Sequence, residues 1–203
     1  MRKALKRIVI CLLLCTSAWC AALMGDHNIL KDEIIRLHVV ANSDREEDQK
    51  MKLLVRDAVL KGLEKDLNDL ADADTAREYL QNNLPKIQRI ATDALKKAGC
   101  LSDVRVKIGK ECFDTREYET FTLPAGIYNA LRITIGEGNG KNWWCVVFPS
   151  LCIPASSESF LDVAAGSGFS EALSCTLAGE ENYKLRFFCL DAIGKLENML
   201  RAG

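Results

Sequence analysis

Histidine is scarce in this chain: His27 and His38 are the only two, and His38 alone lies well inside the body. The six cysteines beyond the N-terminal segment, Cys100, Cys112, Cys145, Cys152, Cys175 and Cys189, form no CxxC pair. Zinc sites need Cys and His clustered at short spacings, so no metal and no cofactor are expected. Positive charge is lacking where a nucleic acid would need it. The chain carries −1 overall, and Arg2, Lys3, Lys6 and Arg7 contribute +4 before the first acid, Asp26, which leaves −5 for everything after them. An acidic body has no electrostatic footprint for nucleic acid.

Catalytic motifs are lacking too. GEGNGK, residues 136–141, has Ile135 where a phosphate loop needs its first glycine and Asn142 where it needs Ser or Thr. Its composition is that of a hairpin tip. Gly166-Ser167-Gly168 misses the nucleophile elbow because Ala165 takes the place of the first glycine. No catalytic residues and no small-molecule substrate are therefore expected.

What is present begins at the N-terminus. MRKALKR is basic and IVICLLLCTSAWCAALMG carries no charge. This is the pattern of a secretory signal or an N-terminal anchor. Residues 8–24 number 17, at the short end of what crosses a hydrocarbon core of about 30 Å. Cleavage fits after Cys20 or Ala22, without an Ala-x-Ala site, so signal peptide and uncleaved anchor both stand. Residues 1–25 are assigned to this segment, with membrane contact during export, and residues 26–203 to one exported domain.

In the body, residues 34–41 form a short β-branched run, which predicts a strand. Ser43 with Glu46 three residues on predicts a helix-capping box, and apolar residues then recur at helical spacing to about Leu70. A second helix is expected from near Asp74 to Gly99, kinked or split at Pro85. Alternation predicts strands over residues 104–108, 117–121, 128–135 and 143–148, with a hairpin at 136–142. Residues 155–182 suggest loops with short helices, residues 183–190 a strand and 192–200 a closing helix. The expected fold is α+β, a mostly antiparallel sheet of about five to six strands with a long helical hairpin packed on one face.

His38 shares a strand face with Arg36 and Val40, which predicts a sheet histidine tethered to a carboxylate or backbone group. Trp143 and Trp144 point to opposite faces, so one suits the core and the other a partner. Cys145 and Cys152 flank a turn at Pro149-Ser150 and are a possible disulfide; two buried thiols is the other reading.

The blocks IIRLHVVANSDREEDQKMKLLVRDAVL, residues 34–60, and LPAGIYNALRITIGEGNGKNWWCVVFPSLC, residues 123–152, resemble the stage II sporulation protein R family, and YKLRFFCLDAI, residues 183–193, does so more loosely. Cys100, Cys112, Cys175 and Cys189 match no motif of that family, and residues 155–182 match no block. The resemblance implies a messenger of endospore-forming bacteria, exported into the space between forespore and mother cell. Its partner there would be a membrane-embedded protease of the mother cell, which processes the precursor of sigma-E. The expected partner-binding residues are His38, Asn42, Asp44, Trp143 and Trp144. The alternative is an exported hydrolase of peptide or cell wall, using His38 and a thiol.

Overall fold

The computed structural model describes residues 2–118, 120–149, 160, 164, 166 and 169–202. Helix α1 (Arg2–Glu33) opens the chain and runs unbroken through the predicted boundary between residues 25 and 26. It is long and apolar enough to cross a membrane. Its side chains are exposed as far as Ala22, after which Leu23, Asp26, His27 and Leu30 are buried. Strand β1 (Ile35–Val40) follows directly and is buried at all six positions, as an apolar run covered on both faces should be.

The helices of the first half are α2 (Glu46–Asn68), α3 (Ala73–Asn82) and α4 (Leu84–Lys97). Pro85 occupies the first turn of α4, so the chain is split there into two helices. Asp72 rather than Asp74 caps α3, accepting from Thr75 N at 2.7 Å. The capping box expected at Ser43 is not formed. Arg45 is the N-cap residue of α2, and the Ser43 hydroxyl donates instead to Asp48 Oδ2 at 2.5 Å. The same hydroxyl oxygen accepts from Arg45 N at 3.2 Å, one residue before the helix begins.

Strands β2 (Val104–Phe113), β5 (Gly126–Ile135) and β6 (Asn142–Phe148) join β1 in a four-stranded sheet of order β2-β5-β1-β6. β1 runs parallel to β5, and the β1–β6 and β2–β5 pairs are antiparallel. The sheet is thus mixed, and smaller than the antiparallel sheet of five to six strands that the sequence suggests. Two of the expected strands account for the difference. The run 117–121 folds back, with Tyr118 N bonded to Phe121 O, and yields only a separate ribbon of β3 (Arg116–Glu117) and β4 (Thr122–Leu123). Residues 183–190 are not extended at all. After α5 (Glu171–Leu177) and a 3₁₀ turn (Glu181–Tyr183), helix α6 (Lys184–Ala202) takes in both that run and the predicted closing helix. Its apolar residues obey the helical period: Leu190 is buried and Ile193 half-buried, whereas Leu185 and Phe188 point outward. Close packing favours that period, because a Cβ on Gly194 would stand 1.6 Å from Ala125 O.

The sheet separates two apolar cores. One face, with Leu37, Val39, Leu131 and Ile133, packs on Val55, Leu63, Ile87 and Leu95 of the helical hairpin. The other, with Phe113, Tyr128 and Val146, packs on Leu30 of α1, Leu173 of α5 and Leu190 of α6.

Candidate partner-binding site

Strand alternation puts Arg36 and His38 on the second of these faces. In register, His38 lies beside Arg132 on one side and Trp144 on the other. Its Nδ1 meets Glu111 Oε2 at 2.8 Å, which is the carboxylate tether expected from the sequence. Glu111 comes from β2, beyond the intervening strand β5, and its other oxygen lies 3.4 Å from Arg132 and from Lys107. Burial would raise the Glu111 pKa, but the His38 hydrogen bond and the charges of His38, Arg132 and Lys107 outweigh it and hold the carboxyl at about 2. Trp144 stacks on the imidazole at 3.8 Å between centroids, and Phe113 meets the indole edge-on at 5.0 Å. His38 Nε2 is buried and has no hydrogen-bond partner among the described residues.

Arg36 is fully buried. Its guanidinium lies 4.1 Å from the centroid of Phe113 and 5.1 Å from that of Tyr128, and it donates to Tyr118 Oη at 2.9 Å. Among the described residues Nε and Nη1 have no partner and no carboxylate pairs with the group. A buried charge without a counter-ion is costly, and the aromatic faces offset only part of that cost.

At the end of β1 the chain passes Asn42-Ser43-Asp44 into α2. Asn42 Oδ1 accepts from Glu137 N at 3.0 Å, and Asn42 Nδ2 donates to Asp48 at 3.0 Å. Asp44 Oδ1 accepts from Lys141 N at 2.7 Å. The backbone adds Asn139 N to Asn42 O and Gly140 N to Ala41 O. Residues 136–141 are therefore not the tip of a hairpin. They pass over the end of β1, which lies between the two strands they connect. Glycine is required here: Gly136 has φ +54°, and a Cβ on Gly140 would stand 2.2 Å from Ser43 O. Hydrogen bonds from Ser43 and Asn42 and the charge of Arg45 lower the pKa of Asp48, against the opposing effect of burial.

The structure thus brings His38 and Trp144 together and sets Asn42 and Asp44, at the β1–α2 junction, against the loop that leads into the tryptophan strand. Trp143 lies across the sheet, half-buried at the helical hairpin, with the Arg56 guanidinium 4.3 Å from its ring centroid. Beside Trp144 opens a cavity of about 270 Å³ lined by Cys112, Phe113, Asp114, Arg116 and Asn198. Arg116 lies 5.3 Å from the indole centroid. Arg36, Glu111, Phe113 and Arg116 were not singled out from sequence. Continued alternation along β2 past Ile108 would have found Glu111 and Phe113 on the His38 face. Cys145 is disulfide-bonded, and Cys152 lies outside the described residues.

A family model described as stage II sporulation protein R matches residues 31–158. Stage II sporulation protein R of Bacillus subtilis (strain 168) is 38% identical over 143 residues, which cover 70% of this chain and 61% of that protein. This chain thus matches about three fifths of the length of that relative. No solved structure matches it.

Proposed function

Because the chain belongs to the stage II sporulation protein R family, we propose that it is an exported signal of endospore formation. It acts by binding: it engages a membrane-embedded protease of the mother cell and so promotes processing of pro-sigma-E. The apolar helix α1 fits a signal peptide or anchor and supports export. The observation that carries the binding reading is the state of His38. Its Nδ1 is held by Glu111, one ring face is covered by Trp144, and Nε2 is buried, with no partner among the described residues. A general base must reach the proton it removes, and this ring is placed as part of a packed platform. Trp144, at the lip of the cavity, is the anchor offered to the partner.

Co-expression of the chain with the protease and its sigma-factor precursor tests this. Trp144→Ala should reduce precursor processing by roughly tenfold or more, the effect of losing a hot-spot tryptophan, with folding intact by circular dichroism. His38→Ala should reduce it partially. A His38→Ala protein that folds and binds normally yet supports no processing would favour the hydrolase.

A further inference from the structure

Helix α6 carries a stripe of large apolar side chains that no described residue covers. Leu185, Phe188, Leu196, Met199 and Leu200 are between 56% and 77% exposed. They fall on one side of the helix, at steps of three, four and one around an exposed Ala192. The two acids of α6 are turned away: Asp191 is buried and Glu197 pairs with His27 and Lys31. Lys184 and Lys195 border the stripe, paired with Glu181 and Asp191, and Arg201 turns to the body, where it donates to Lys110 O.

The direction of this stripe follows from how α6 meets α1. Arg186 binds Asp26, with Nε at 2.8 Å, and Glu197 binds His27 at 3.2 Å. Arg186 and Glu197 are eleven residues apart, roughly 16 Å along α6, whereas their partners in α1, Asp26 for one and His27 with Lys31 for the other, lie within five residues of each other, roughly 8 Å. α6 therefore crosses α1 steeply instead of running alongside it. α1 hands over directly to β1, so the sheet lies toward its C-terminal end, and α6 turns Leu190 and Gly194 to that sheet. The opposite side of α6, which bears the stripe, faces back along α1 toward its uncovered apolar part.

We propose that this stripe is a membrane-docking surface: α6 lies on the bilayer that α1 enters, with Leu185, Phe188, Leu196 and Met199 in the boundary between headgroups and acyl chains. An apolar helix face with lysines along its edge is what such a boundary accommodates. The occupant is lipid because the helix that would enter the membrane is the one α6 packs against. The docked face would fix which side of the body, and so which side of the Trp144 cavity, is turned away from the membrane.

The proposal rests on reading α1 as a membrane segment, and the experiment separates the two. Full-length chain is reconstituted into phosphatidylethanolamine–phosphatidylglycerol vesicles with p-benzoylphenylalanine at position 13, 101, 188 or 196. Leu13 lies in the apolar part of α1, and Leu101, 87% exposed, precedes β2 at the end of the sheet where β1 finishes. After irradiation, mass spectrometry should find phospholipid adducts at 13, 188 and 196 and none at 101. Lipid adducts at 13 alone overturn the proposal and leave the anchor standing. Crosslinks from 188 or 196 to a second copy of the chain, in place of lipid, overturn it in favour of a dimer contact. Loss of the adduct at 13 as well removes the membrane reading of α1 and the proposal with it.

Discussion

Glu111 and His38 meet at 2.8 Å although a whole strand lies between them, and the strand they reach across adds Arg132 to the same carboxylate. The Glu111 pKa is lowered from 4.5 to about 2 in the folded chain. A depressed carboxylate contributes stability that is complete above its unfolded pKa and disappears as pH falls through the folded one. Its contribution should therefore be lost between about pH 4.5 and pH 2, and amounts to about 3 kcal/mol by linkage. Denaturant titrations at stepped pH should show a shallower acid limb for Glu111→Gln than for the parent chain. Equal limbs would show that the pair contributes nothing.

Arg36 carries a different expectation. Its guanidinium is buried, two of its nitrogens are unpaired and no carboxylate answers it among the described residues. Replacing a poorly compensated buried charge by an apolar side chain of similar volume is often neutral or stabilising, by about 1–4 kcal/mol. Arg36→Met should hold or raise the urea midpoint. A fall of about 2 kcal/mol or more, on the scale of a lost well-satisfied buried group, would mean that the aromatic faces compensate the charge fully.

Asn42 joins β1, α2 and the 136–141 loop through one amide. Asn42→Ala leaves Glu137 N without its acceptor and removes a donor from Asp48. The expected cost is about 1–3 kcal/mol, with faster amide exchange at Glu137 and Lys141 than at the centre of β5. Unchanged exchange at those two amides would show that Asp44 and the backbone contacts hold the loop without Asn42.

Cys145 is predicted to bridge to Cys152. Labelling of denatured, unreduced protein should leave both thiols unmodified and reach Cys100, Cys112, Cys175 and Cys189, which are free. Modification of Cys145 and Cys152 without reductant would count against the bridge.

Local features of the fold were legible wherever one segment determines its own structure. The apolar run ending at Asn42-Ser43-Asp44 is β1, and the helical spacing after it is α2. The face shared by Arg36 and His38 follows from the two-residue period of a strand, and the chemistry of a buried imidazole calls for a tether, to a carboxylate or to the backbone. What the period does not contain is the identity of neighbours. That β1 lies between β5 and β6, turning a supposed hairpin loop into a crossing over its end, depends on contacts about a hundred residues away. The same limit hid Glu111, which reaches His38 only because of the strand order. In α6 the run Phe187-Phe188-Cys189-Leu190 suggests a strand by composition, yet Phe188 faces outward and Gly194 seats the helix on Ala125. The site was half visible for the same reason: His38 and Trp144 were identified singly, and their stacking is a product of register.

The position of β1 also sets the order of events during synthesis. Neither of its sheet neighbours lies within the first 125 residues, since β5 begins at Gly126 and β6 ends at Phe148. Until that stretch has been made, the most buried strand of the protein has nothing to pair with, and closing a loop of such length carries its entropic cost before any contact rewards it. The nascent N-terminal third can form α2 and its neighbours but cannot complete the sheet. If the domain is exported as proposed, that delay keeps the polypeptide threadable until most of it has emerged, and postpones the native state to the compartment where the domain is used.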